Sequence, residues 1–222
     1  MLILFKFGAA EHLHAFRERG LLHMRTLRYF AEQEENEARK DRLEGAHNMI
    51  QSRDVGNFTF EHPLVGKFTA APKDLAGPVV IRLNRESDVN VFCMFALTLP
   101  QRSIDHPDNR KFGEGFVLVL NSEEFLKRIG VAVRLANLRG EARMVEYFDE
   151  EKYSGPVGSF LKSSRFKHQS EFRIVVSPGV RDFRELVVGS LEDITTPVLP
   201  LAEIDQHVDF SEEKARESGL DA

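Results

Sequence analysis

An α+β domain with a mixed, mainly antiparallel β-sheet core and N-terminal helices is the fold class predicted, on three observations. Apolar residues recur at helical spacing near the N-terminus, over 9–19 and again after Thr26. From about Gly45 the pattern changes to apolar stretches six to nine residues long, divided by Gly, Pro, Asn and Asp, as strands and their turns are. No regular strand–helix alternation follows, and neither G-x-G-x-x-G nor G-x-x-x-x-G-K-[ST] occurs, which disfavours a doubly wound nucleotide fold.

Residues 2–7 read as a buried strand, apolar except for Lys6, and Gly8 releases the chain into a helix over 9–19. Ala9, Leu13 and Phe16 share one face of it, and Gly20 stands where a left-handed C-cap belongs. Residues 21–25 form a second extended piece. Thr26 then caps a helix through Tyr29 and Phe30 into the acidic run 32–37, where negative charge complements a helix N-terminus. Strands are expected over 46–52, 55–60, 78–83, 89–98, 115–120, 131–138, 142–148, 171–177 and 185–188. Ser122 caps a helix over 123–129 that ends before Gly130, and 156–162 forms a shorter helix. The polar stretch 100–114 is long for a connection and reads as a loop over a site or as a solvated excursion. The charged tail 211–222 is a frayed or disordered end, leaving 1–210 as a single α+β domain.

The 222 residues carry 30 basic and 35 acidic side chains, a formal charge of −5, one cysteine and 42% hydrophobic residues. A soluble globular chain of this length buries a continuous core without staples. Cys93 lies inside an apolar strand, which excludes a disulfide framework or a cysteine zinc cluster and points to a reducing, cytoplasmic setting. No apolar run approaches the roughly 20 residues of a membrane helix, and the N-terminus lacks the order of a signal peptide, so no membrane association is expected. The mild acidity argues against wholesale DNA binding and leaves a local basic patch as the route to an anion. The histidines form no H-E-x-x-H or similar set and no G-x-S-x-G elbow occurs, so neither a metal nor serine-hydrolase chemistry is expected.

The most informative stretch is 160–176, a basic approach followed by a strand. Alternation sends Gln169, Glu171 and Arg173 to one face and Phe172, Ile174 and Val176 to the core. A carboxylate beside an amide suits chemistry on a ribose. Glu171 would accept a hydrogen bond from a 2′-hydroxyl and stabilise an oxocarbenium-like centre, while Gln169 orients the nucleophile. Lys162, Arg165, Lys167 and His168 just upstream would draw in a pyrophosphate or an RNA strand. The plainer alternative is an exposed sheet face on which Glu171 and Arg173 form cross-strand ion pairs. A second charge-rich cluster, Arg25, Arg28, Tyr29, Arg39, Lys40 and Arg42, lies among acidic residues. Arg25 with Arg39 or Arg42 would clamp phosphates while Tyr29 stacks on a ring, unless the cluster is a solvated helix laced with pairs such as Glu35–Arg39.

Gln169-Ser170-Glu171 before an apolar strand resembles the [QE]-x-E motif of ADP-ribosyltransferases. The order Phe5-Lys6-Phe7-Gly8, Glu11-His-Leu-His-Ala-Phe16, Gly20-Leu-Leu and Leu27-Arg-Tyr-Phe-Ala31 is similar to the start of bacterial ADP-ribosyltransferase-like toxins, including those of phage-defence and toxin–antitoxin systems. The chain also resembles a broad bacterial family of unknown function with a Lys-[Tyr/Phe] first strand, a Cys-containing middle strand and a late Glu-x-Arg-Ile strand. Those features are here Lys6-Phe7, Cys93 and Glu171-Phe-Arg-Ile174. The resemblance implies an ADP-ribosyltransferase-like fold, NAD as substrate, Glu171 as the catalytic carboxylate and Gln169 as the residue that positions the acceptor. Lys6, His12, Arg25 and Arg39 would contact the donor's ribose or phosphates, and Tyr29 would pack on nicotinamide or adenine. The acceptor implied is a macromolecule, with a lean towards an RNA or DNA base, and a cell making such an enzyme would need an antitoxin or a regulated trigger. Two features depart from the transferases: Lys6 and His12 stand in for the arginine or histidine of the first strand, and no serine-threonine-serine motif precedes Glu171. A noncatalytic nucleotide- or partner-binding module is the alternative.

Overall fold

The computed structural model describes residues 2–33, 40–82, 89–97 and 109–204. The N-terminal part runs β1 (Ile3–Gly8), α1 (Ala10–Arg19), β2 (Leu21–Thr26) and a π-type turn at Tyr29–Gln33. There follow β3 (Asn48–Ile50), the hairpin β4 (Phe58–His62) and β5 (Gly66–Ala70), β6 (Val79–Ile81), β7 (Asn90–Leu97), β8 (Gly115–Val119) and α2 (Ser122–Leu135). The C-terminal part contains β9 (Arg139–Met144), β10 (Glu146–Phe148), β11 (Gly155–Pro156), β12 (Leu161–Ser163), a 3-10 helix at Ser164–Gln169, β13 (Glu171–Ser177), β14 (Phe183–Val187) and β15 (Leu199–Pro200). The fold is mixed α+β with mainly antiparallel sheets; the β10–β12 pair is parallel.

Strand β7 is the spine of the main sheet. Along one edge it pairs with β13, whose far edge carries β9. Its other edge is shared by two strands: Leu97 to Phe95 pair with Ile3 to Phe5 of β1, and Val91 and Asn90 pair with Arg25 and Thr26 of β2. From β1 the sheet continues through β8 to β15, and from β2 it ends at β14. The sheet therefore splits at Phe92–Met94. Lys6 fills the split: its ammonium donates to the Cys93 carbonyl at 2.9 Å and lies 4.2 Å from the Phe92 ring centre. A backbone carbonyl that has lost its strand partner is thus satisfied by a side chain.

Alternation decides what each face buries. Phe92, Met94 and Ala96 of β7 join Phe172, Ile174 and Val176 of β13 under the helices, with Leu13, Phe16, Phe125 and Ile129 in the same cluster. Phe16 stacks on Phe92 at 5.8 Å. On the opposite face Val91, Cys93 and Val175 pack with Leu27 and Phe160, and a separate cluster holds Phe5, Phe7, Phe95, Leu97 and Phe116.

Several expected elements form as read. Gly20 adopts the left-handed conformation at φ 62, and its N–H donates to the Ala15 carbonyl. The Tyr29 N–H donates to Thr26 Oγ1 at 3.2 Å, although only a single π-type turn follows within the described residues. Three expectations are corrected. Residues 131–135 of the strand expected over 131–138 are the second half of α2, which runs through Gly130 because Phe125, Ile129, Ala132 and Val133 keep one buried helical stripe. Burial of that stripe outweighs the roughly 1 kcal/mol that an interior glycine costs. Its cap is Asn121 rather than Ser122, accepting from the Glu124 N–H at 3.0 Å. The helix over 156–162 is instead β11 and β12, separated at Gly158, whose φ of 66 interrupts a helical path. Residues 100–108 of the long polar stretch and the tail 211–222 lie outside the described residues.

Candidate functional site

Glu171 opens β13 opposite Phe95, and Arg173 stands opposite Cys93. Gln169 does not precede them on the strand, as alternation had implied. It ends the 3-10 helix, and Ser170 turns the chain with φ 38. That left-handed turn is held at both ends: Ser170 Oγ donates to the Ala96 carbonyl at 2.6 Å, and the Ala96 N–H donates to the Ser170 carbonyl at 2.8 Å. The amide of Gln169 still reaches the site, from a different direction.

Glu171 and Arg173 are 4% and 1% exposed, so the expectation of a solvated sheet face with an exposed ion pair is corrected. Arg173 Nε donates to Glu171 Oε1 at 2.7 Å. The rest of its guanidinium grips Glu44, at 2.7 Å to Oε1 and 3.1 Å to Oε2, and the Ser159 carbonyl at 2.5 Å. The Lys162 ammonium donates to Glu171 Oε2 at 3.0 Å and to Gln169 Oε1 at 2.8 Å, with Glu44 Oε2 at 3.5 Å. Two carboxylates and two cations thus close on one another inside the protein, where unpaired charge is costly.

The electrostatics follow from that closure. Burial disfavours the Glu171 carboxylate, yet the Arg173 and Lys162 charges and the Arg173 hydrogen bond outweigh it and hold Glu171 well below the usual carboxylate range. Burial also works against charged Lys162 and Arg173, and the two glutamates overcome it, raising both. The Cys93 thiol is pushed up to about 12, first by burial and then by the Glu171 charge. Tyr147 Oη accepts the Glu171 backbone N–H at 2.9 Å, and burial followed by the Glu171 charge raises its phenol. Asp41, fully buried beside this cluster, is raised by burial and then by the Glu44 charge. Its Oδ1 accepts from the Leu43 N–H at 2.9 Å, while Oδ2 has no partner.

The other expected site residues separate into groups. Glu171 and Gln169 meet at the Lys162 ammonium. Lys6 lies one strand away in the split of the sheet. Arg25, in register with Val91, shares the face of Cys93 and Arg173, but its guanidinium is held by Asp182 at 2.7 Å and lies 4.6 Å from the Tyr29 ring. His12 is exposed on α1, near Glu11 at 3.7 Å. That helix covers the opposite face of the sheet, so His12 does not approach Glu171. Arg39 lies outside the described residues. Of the basic approach, Lys162 is consumed by the buried cluster. The exposed Arg165 sits 3.8 Å from Asp41 Oδ1 and 3.5 Å from Glu150 Oε1.

Sequence reasoning missed Glu44. It reads as one charge of a solvated run, and only the buried neighbours Leu43 and Ala46 hint that the turn carrying it faces inward. Among the described residues no three His, Cys, Asp or Glu side chains converge as metal ligands, and no helix is long and apolar enough to cross a membrane. No family model, curated protein or solved structure matches the chain.

Proposed function

We propose that this protein is a noncatalytic binding module on an ADP-ribosyltransferase-like scaffold, recognising a nucleotide or a macromolecular partner. One observation carries the proposal: both oxygens of Glu171 are taken, one by Arg173 and one by Lys162, inside a buried neutral cluster. Each oxygen keeps a further lone pair, but the carboxylate is buried, so a ribose hydroxyl or a developing cation reaches it only if the cluster opens, and breaking a buried pair costs about 3–5 kcal/mol. Its negative charge is already compensated by two neighbours. A fixed carboxylate helps catalysis when it is aimed at the charge that develops in the transition state, and this one is aimed at protein cations.

The test is direct. Purified wild-type protein is incubated with NAD labelled in the adenylate half, alone and with separate protein, RNA and DNA fractions. The expected result is intact NAD and no label on any fraction. Nicotinamide release or label transfer, lost in a folded Glu171→Gln variant, overturns the proposal.

A second reading, the transferase with NAD as substrate, a macromolecular acceptor and an antitoxin as its restraint, is favoured by a separate observation. Gln169 and Glu171, the pair that the [QE]-x-E resemblance singles out, meet on one ammonium. The same experiment decides between the two.

A further inference from the structure

The hairpin β4–β5 is held apart from the core. Among the described residues its two strands pair only with each other, and all nine residues from 61 to 69 are exposed, so it stands out from the body as an arm. The sequence builds its apex. Pro63 fixes φ at the second position of a turn that the Val65 N–H closes by donating to the His62 carbonyl at 3.2 Å. Gly66, at φ 79, then leads the chain into β5 in the left-handed conformation. The Leu64 N–H donates to His62 Nδ1, also at 3.2 Å. Because proline has no N–H, every backbone donor from 63 to 65 is absent or satisfied within the arm. What the apex presents is aliphatic: Leu64 is 90% and Val65 80% exposed, with Phe68 60% exposed on the shaft behind them.

We propose that this arm is a membrane-surface anchor whose apex, Leu64 and Val65, dips into the interface of a zwitterionic lipid bilayer. An apolar phase accepts backbone whose N–H groups are already paired, and the apex meets that condition. A protein pocket reads directional groups together with apolar surface. The apex offers aliphatic side chains with its donors already used, which suits a medium without fixed partners. Its carbonyls stay within reach of interfacial water at the depth of about 5–10 Å typical of a peripheral anchor. Charge selects the headgroup. Residues 58–70 hold one acid and one base, Glu61 and Lys67, in register across the arm. Opposite charges side by side complement a headgroup that carries both signs, whereas the −5 of the whole chain opposes an anionic surface. Such an anchor needs no spanning segment, so it agrees with the lack of a membrane-crossing helix among the described residues. Two aliphatic side chains make a weak, reversible attachment.

The test is cosedimentation of the full chain with phosphatidylcholine vesicles at millimolar lipid, repeated with vesicles that also contain phosphatidylserine. Wild type is expected to partition onto phosphatidylcholine, no more strongly onto the anionic vesicles, and with little dependence on salt. Leu64→Ser combined with Val65→Ser is expected to lower partition at least about tenfold; circular dichroism establishes that the double variant is folded. The chain has no tryptophan, so Val65→Trp carries a lone reporter at the apex, and its emission is expected to shift to the blue when vesicles are added. Absence of partition, equal partition by the double variant, preference for the anionic vesicles, or unshifted emission from vesicle-bound Val65→Trp overturns the anchor. So does a dimer, measured by light scattering without lipid, that the double variant abolishes, because a second copy of the chain is then what covers the apex. Each of those results leaves the noncatalytic proposal standing, because that proposal fails only on NAD turnover.

Discussion

Arg173 donates to Glu171 from two positions along the same strand, Nε to Oε1 at 2.7 Å. A pair at this spacing on a β-strand shares one face, and here that face is covered, so the two side chains complete each other before any ligand arrives. Glu44 and Lys162 satisfy the atoms left over.

Removing one member breaks the balance. Glu171→Ala leaves Lys162 without one of its two carboxylates and is expected to lower the unfolding free energy by about 3–5 kcal/mol, measured by urea denaturation at neutral pH. The double variant Glu171→Gln with Lys162→Met keeps the Glu44–Arg173 pair and is expected to be more stable than the sum of the single changes by about 0.5–3 kcal/mol. Additive losses would show that the two side chains do not interact.

The buried acids impose opposite pH dependences. Glu171 is held below its ordinary 4.5, so its contribution to stability is present above that pH and is lost as pH falls through the folded value. Asp41 is raised above its ordinary 3.8, so its contribution is complete below that pH and is lost as pH rises through the folded value. Asp41→Asn should therefore match wild type near pH 3.8 and become progressively more stable than it towards neutrality. Unfolding curves at stepped pH read this out, and a constant difference across the range would contradict it.

Cys93 is poised against reactivity. With its thiol pushed up to about 12 by burial and by Glu171, native protein at pH 8 should alkylate with iodoacetamide far more slowly than unfolded protein. Glu171→Gln removes one cause of the shift and should speed the reaction. Native labelling at the unfolded rate would place the thiolate in an unperturbed setting.

Lys6 has a backbone duty. Lys6→Met keeps most of the stem but leaves the Cys93 carbonyl without the 2.9 Å donor, a loss expected to be about 1–3 kcal/mol. Lys6→Arg, which restores a donor, should recover part of it. Equal midpoints for wild type and Lys6→Met in urea would show that the carbonyl has another donor.

Local signals made much of the fold legible. Gly20 and Thr26 end and begin segments where their chemistry requires it, and the alternation of β13 assigns Phe172, Ile174 and Val176 to the core. Gly130 misled because a helix tolerates a glycine when the stripe on either side of it is buried. At the site, adjacency along β13 was readable but its environment was not. Whether a strand face meets water or a second layer depends on β12 and the turn carrying Glu44, 129 residues from Arg173 in the chain. Periodicity carries no information over that span. Gln169 was placed on the right residues by the wrong geometry, since the left-handed Ser170 interrupts the strand.

Strand β7 is aligned with β1 and β2 on one edge and β13 on the other. Moving it by one residue would turn Phe92 out from beneath Phe16 and carry Cys93 away from Glu171, while breaking three ladders together. Mutational tolerance should accordingly be lowest over these eight residues, and a deletion or insertion there should abolish folding where the same change in the exposed hairpin tip at Leu64 and Val65 is accepted.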